Sequence, residues 1–121
     1  MPLRYLLDEN LRGSLWRAVR RHNLTSDLPI DVLRIGDVTD LPLGADDPTA
    51  LIWIERENRI LVTKDKNSMA VHLADHLMHG RHCPGIFMVL PRTSLRDVLA
   101  HLILAAYASE PHEWVDRIVY I

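Results

Sequence analysis

Three aspartates stand where carboxylates can do chemistry. Asp8 follows the apolar run Leu3-Arg4-Tyr5-Leu6-Leu7, and Asp65 follows Ile60-Leu61-Val62-Thr63-Lys64. Asp47 precedes Pro48 at the start of a helical pattern. Short apolar runs of this kind read as strands buried on both faces, as in a parallel sheet. Ligands of open parallel sheets bind outside the carboxyl ends of the strands. Two such strands therefore deliver Asp8 and Asp65 to one edge, with Asp47 expected to face them. Clustered carboxylates repel unless a cation sits among them. Hard oxygen donors select Mg²⁺ or Mn²⁺, and these ions activate water and neutralise charge on a phosphate being cleaved. Each residue also has a plain structural use. Asp47 caps a helix, Asp65 makes a turn, and Asp8-Glu9-Asn10 is polar loop.

Three other constellations compete with the aspartates. His72, His76 and His79 fall on one arc of a helix at about 100° per residue, with His82 beyond. Histidines at i and i+4 can bind a transition metal. The HExxH glutamate is absent, because the run is His72-Leu73-Ala74-Asp75-His76. The arc reads as a solvated face without native metal, opposite Ala70, Leu73, Ala74 and Leu77. Arg17, Arg20 and Arg21 lie on the outer face of the first helix, and Trp16 is within stacking reach of Arg20. This set either contacts nucleic acid or is simply solvated. Cys83 before Pro84 reads as a small packed residue, since no pairing base is identifiable. The chain carries no Walker lysine, GxGxxG run or GxSxG elbow.

The elements that must position these residues alternate. Leu3 to Leu7 is a strand. Asn10 is the expected N-cap of a helix carrying Leu11, Leu15, Ala18 and Val19, and 23–29 is turn-like. Asp31 to Ile35 is a second strand, followed by an acidic loop over 36–47. Asp47-Pro48 starts a helix running to about Asn58, with Ala50, Leu51 and Ile54 inward. After the strand at Ile60, Asn67 or Ser68 caps a helix that ends at Gly80. Ile86 to Leu90 is a strand, Ser94-Leu95-Arg96-Asp97 opens a helix to about Ala108, and Val115 to Ile121 is a last strand. This alternation implies an α/β fold, a three-layer α/β/α sandwich with a mostly parallel central sheet.

Bulk properties agree. The chain has 121 residues, which makes one domain, 1–121, and 48% of them are hydrophobic, enough for a core. Its net charge of −2 gives no global basic signature, so any surface for nucleic acid is local. A lone cysteine excludes an intrachain disulfide and suits a reducing cytoplasm. The long apolar run of a signal peptide or membrane span is not seen, so no membrane partner is expected.

The order of the motifs resembles a known family. Asp8-Glu9-Asn10, Gly44-Ala45-Asp46-Asp47-Pro48 and Ile60-Leu61-Val62-Thr63-Lys64-Asp65 resemble the short, largely uncharacterised "DEN…TxD" branch of the PIN-like superfamily. The likeness continues through Asn67-Ser68-Met69, Pro84-Gly85-Ile86-Phe87 and Trp114 to Tyr120. It implies a cytoplasmic bacterial ribonuclease whose acids bind Mg²⁺ or Mn²⁺ and cleave RNA phosphodiesters. Many such proteins are toxins of toxin–antitoxin pairs, so an antitoxin protein and a second copy of the chain are the further partners implied. By position, Asp8, Asp47 and Asp65 match the family's metal-binding and catalytic acids. Thr63 would orient the last of them, with Glu9, Asn10 and Asn67 in support. Many relatives have Asp-Phe where this chain has Asn67-Ser68, although a sub-branch with Asn-Thr-Met is closer. A neutral amide there lowers site charge. The alternative is a catalytically degenerate PIN-like module that binds protein or RNA.

Overall fold

The strand at 60–63 is buried at every position, so each of its residues faces a hydrophobic layer. In the computed structural model, which describes residues 2–11 and 13–121, this is β3 (Ile60–Thr63) of a five-stranded sheet. The other strands among the described residues are β1 (Arg4–Leu7), β2 (Asp31–Arg34), β4 (Ile86–Met88) and β5 (Ile118–Tyr120). The helices are α1 (Ser14–Thr25), α2 (Asp47–Glu57), α3 (Met69–Met78) and α4 (Leu95–Ala108). All four strand pairings are parallel, in the order β2-β1-β3-β4-β5. The period of two then sorts the core into two layers. Tyr5, Leu7, Ile60, Val62 and Phe87 pack toward α1 and α4. Leu6, Leu61, Ile86 and Met88 pack toward α2 and α3. The expected three-layer α/β/α sandwich is therefore the fold. The last strand is also parallel, with Ile86 paired to Ile118 and Met88 to Tyr120.

Three local expectations are corrected. Asn10 does not cap α1. A single 3₁₀ turn, Glu9–Leu11, comes first, closed by the Leu11 N–H on the Asp8 carbonyl at 2.9 Å and anchored by buried Leu11. Gly13 then precedes α1. At its other end α1 runs through Asn23 to Thr25. The Asn23 amide bonds both backbone groups of Ile30, at 2.8 and 2.9 Å, and so ties the helix to the entry of β2. The inner stripe of α3 is Met69, Leu73 and His76, not the alanines, because Met69 and Leu73 offer more apolar area four residues apart.

His76 is the consequence of that rotation. It is buried, contrary to the solvated face expected from its spacing. Its Nε2 lies 3.1 Å from Glu55 Oε1 and 2.9 Å from the His82 carbonyl. His79 is exposed and His72 half-buried. Cys83 is buried, and burial pushes its thiol up to about 11. No helix among the described residues is long and apolar enough to cross a membrane.

Candidate active-site edge

The strand order reverses direction between β1 and β3, where one connection runs to β2 and the others run toward β4. Ligand crevices of doubly wound sheets lie at the carboxyl side of such a switch point. Asp8 leaves β1 there and Asp65 leaves β3 there, on hydrogen-bonded neighbours, since Leu7 pairs with Val62. The Asp8 N–H donates to the Val62 carbonyl at 3.0 Å and extends the ladder by one bond.

Thr63 joins the two ends. Its side chain is fully buried, and its hydroxyl donates to Asp8 Oδ2 at 2.7 Å. The same oxygen of Thr63 accepts the Asp65 N–H at 3.1 Å. Thr63 thus holds the first carboxylate and the backbone of the third, whereas the resemblance implied that it orients the Asp65 carboxylate. The second oxygen of Asp8 accepts the Glu9 N–H at 2.8 Å. Asp65 is exposed, and its Oδ1 accepts the Asn67 N–H at 3.2 Å in a local turn.

Asp47 arrives from α2. The cap of that helix is Asp46, whose Oδ1 accepts the Thr49 N–H at 2.9 Å. The Thr49 hydroxyl and N–H hold the Asp46 carboxyl below its ordinary range. Asp47 is the first helical residue, so the expectation that it caps the helix is off by one. Freed from capping, the Asp47 carboxylate accepts the Ser68 hydroxyl at 3.1 Å. Ser68 is the N-cap residue of α3, as one of the two expected, but its side chain makes no capping bond to that helix. His72 Nε2 lies 3.9 Å from the same Asp47 oxygen. Sequence reasoning does not mark Ser68 and His72 as site residues, although their spacing of four places both on one helix face.

One loop, 64–68, together with Thr63 before it, therefore touches both other acids, Asp8 through Thr63 and Asp47 through Ser68. Glu9 reaches across to the acidic loop, where its carboxylate accepts the Gly44 N–H. Asn10 is exposed beside this edge, and so is Asn67. Even so, among the described residues no three His, Cys, Asp or Glu side chains lie close enough together to hold a metal ion. Mg²⁺ usually keeps several waters and takes one or two carboxylates plus substrate oxygens. The carboxylate donors of Asp8, Asp47 and Asp65 suit such a hard ion in chemistry. They do not form a cage of three in this arrangement.

The basic face of α1 is arranged differently from the expectation. Arg17, Arg20 and Arg21 line the helix, but the guanidinium over the half-buried Trp16 ring, at 4.4 Å, is that of Arg34 rather than Arg20. No protein-family model, curated protein or solved structure matches this chain.

Proposed function

We propose that this chain is a PIN-like, Mg²⁺- or Mn²⁺-dependent endoribonuclease acting on RNA phosphodiesters. The observation that supports this most is the segment from Thr63 to Ser68, which links Asp8, Asp65 and Asp47 by hydrogen bonds at the switch point of the sheet. Asp8, Asp47 and Asp65 would hold the ion, Asp8 and Asp65 from the strand ends and Asp47 from the first turn of α2. The ion, when bound, supplies charge neutralisation at phosphorus and an activated water. Thr63 keeps the Asp8 carboxylate fixed at the strand end, and Ser68 does the same for Asp47. Asn10 and Asn67 border the edge and contribute amide donors to the substrate backbone, while Glu9 holds the facing loop through the Gly44 N–H. The role that fits is the toxin of a bacterial toxin–antitoxin pair, cytoplasmic, with an antitoxin protein and a second copy of the chain as partners.

The test is cleavage of a structured RNA pool with Mn²⁺, with Mg²⁺ and with chelator. Metal-dependent cleavage by the wild type that falls at least about 10²-fold in both Asp8→Asn and Asp65→Asn is the expected result. Equal cleavage by wild type and both variants would show that the activity lies elsewhere or in a contaminant. The spacing of the aspartates favours a second reading, because no three acidic side chains among the described residues come together. In that reading the same edge is a binding surface for RNA or protein. It predicts RNA retention without cleavage and no calorimetric signal for Mn²⁺.

A further inference from the structure

The layer formed by α1 and α4 carries a groove of about 570 Å³ on a different part of the surface from the acid edge. Arg17, Arg21 and His22 of α1 and Arg96 of α4 line it, over Leu95 and Leu99. No acidic side chain is among the described residues that line it. This concentration of cations is local, because the chain as a whole carries a net charge of −2. Four arginines elsewhere pair with carboxylates: Arg34 with Asp37, Arg56 with Asp40, Arg59 with Asp31 and Arg81 with Glu55. Arg17 donates to the Ser14 hydroxyl at 3.2 Å, a neutral partner. Arg21 and Arg96 form no ion pair among the described residues. Arg17 and Arg21 are one turn apart, about 6 Å along the helix.

The groove leads to the acid edge. Leu95 is shared with a second cavity of about 300 Å³, whose wall includes Leu11, Thr93 and Lys64. Lys64 stands between Thr63 and Asp65. Lys64 is the cation of that second cavity, and Asp65 follows it in the chain. Guanidinium forks suit phosphate oxygens, and contacts to phosphate position a strand without reading its sequence. No Phe, Tyr or Trp is among the described residues that line the two cavities.

We infer that the groove between α1 and α4 binds the sugar–phosphate backbone of single-stranded RNA flanking the bond at the acid edge. This rests on the ribonuclease reading for what happens at that edge. The binding itself is independent of cleavage. An acidic protein segment would meet the same guanidinium groups, but nothing about it accounts for a cationic groove that adjoins the cavity holding Lys64, the residue before Asp65.

The experiment measures anisotropy of a short fluorescein-labelled oligouridylate in EDTA, where no metal-dependent turnover occurs. Arg21→Ala/Arg96→Ala is compared with wild type and with Arg56→Ala/Arg81→Ala, which removes equal charge on the α2–α3 side. The groove variant is expected to bind about tenfold or more weakly. Its slope of log affinity against log salt should fall by about 1.4, at about 0.7 for each phosphate no longer neutralised. The control pair should keep the wild-type slope. Arg21→Lys/Arg96→Lys should restore most of the affinity, which separates charge from any loss of folding. Equal weakening in both alanine pairs, or none in either, overturns the inference. So does tighter binding of polyglutamate than of RNA with the same sensitivity to the groove arginines, which would assign the groove to an acidic protein. Groove-dependent binding with no cleavage in Mn²⁺ would leave the groove standing and sink the ribonuclease reading alone.

Discussion

Asp65→Asn and Asp8→Asn are expected to behave differently in unfolding, because the two side chains are held differently. Asp65 is exposed, and the hydrogen bond that its carboxylate takes from the Asn67 N–H can be accepted as well by an amide oxygen. Asp65→Asn should leave stability within about 0.5 kcal/mol of wild type. Both Asp8 oxygens accept bonds, from Thr63 and from the Glu9 N–H. An amide has a single acceptor oxygen, so Asp8→Asn loses one of them and should cost about 1 kcal/mol. Thr63→Val should cost more, about 1–3 kcal/mol, because it strips the partner from the Asp8 carboxylate and from the Asp65 N–H together in a fully buried position. Urea unfolding of the three variants checks the order. A Thr63→Val variant as stable as wild type would show that the hydroxyl link does not hold the two strand ends.

At the scale of elements, the strand ends opposite the acids are tied by charge. Asp116, in a left-handed turn with φ of 61°, accepts from His82 Nδ1 at 3.0 Å and from the Cys83 N–H at 2.7 Å. Partial burial raises the Asp116 carboxyl, but the bonds from His82 and Cys83 outweigh it and hold it below its ordinary value of 3.8. The Asp116 carboxylate holds the exposed His82 above its ordinary 6.5. The His82 contribution is complete below 6.5 and is lost as pH rises through its folded value. The Asp116 contribution is present above 3.8 and is lost as pH falls through its own lowered value. The gap in melting temperature between wild type and Asp116→Asn should therefore be widest between those two values and narrow as pH rises through the raised value of His82. A gap that is flat with pH would remove the ion pair from the account. Next to this turn, Gly85 has φ of 141°, and a Cβ there would meet the Trp114 carbonyl oxygen at 2.9 Å. Gly85→Ala is expected to cost about 2–3 kcal/mol and to loosen β5, since both backbones would have to move. Earlier hydrogen exchange at Ile86, whose N–H donates to the Arg117 carbonyl, reads it out.

The whole molecule is one sheet with a core on each face, and alternate residues of the same strands belong to different cores. Neither layer can open without exposing the strands of the other, so unfolding should be a single transition. Phe87 sits at the centre of one core, with its ring 6.0 Å from Tyr5, 5.0 Å from His101 and 5.1 Å from Trp114. Phe87→Ala should cost about 3–5 kcal/mol and lower the denaturant midpoint with the slope unchanged. A second transition, or a changed slope, would mean that the two layers unfold separately.

Burial of short apolar runs and the alternation of strand and helix patterns are local properties, so the α/β class and the delivery of Asp8 and Asp65 to one edge were legible in the chain. Strand order was not, because it depends on which connections cross which face. The tertiary structure placed β1 beside β3 and so brought Thr63 against Asp8. Partner choice among equivalent polar residues was equally hidden. Two adjacent aspartates competed for one cap, and only packing assigned it to Asp46 and left Asp47 for Ser68. The rotation of α3 was decided by which side chains filled the space under α2, and that buried His76. The arginines of α1 were visible as a charged face, but Arg96 is distant in sequence and joins them only when α4 packs alongside. Periodicity reports what one element buries; what it meets depends on residues far along the chain.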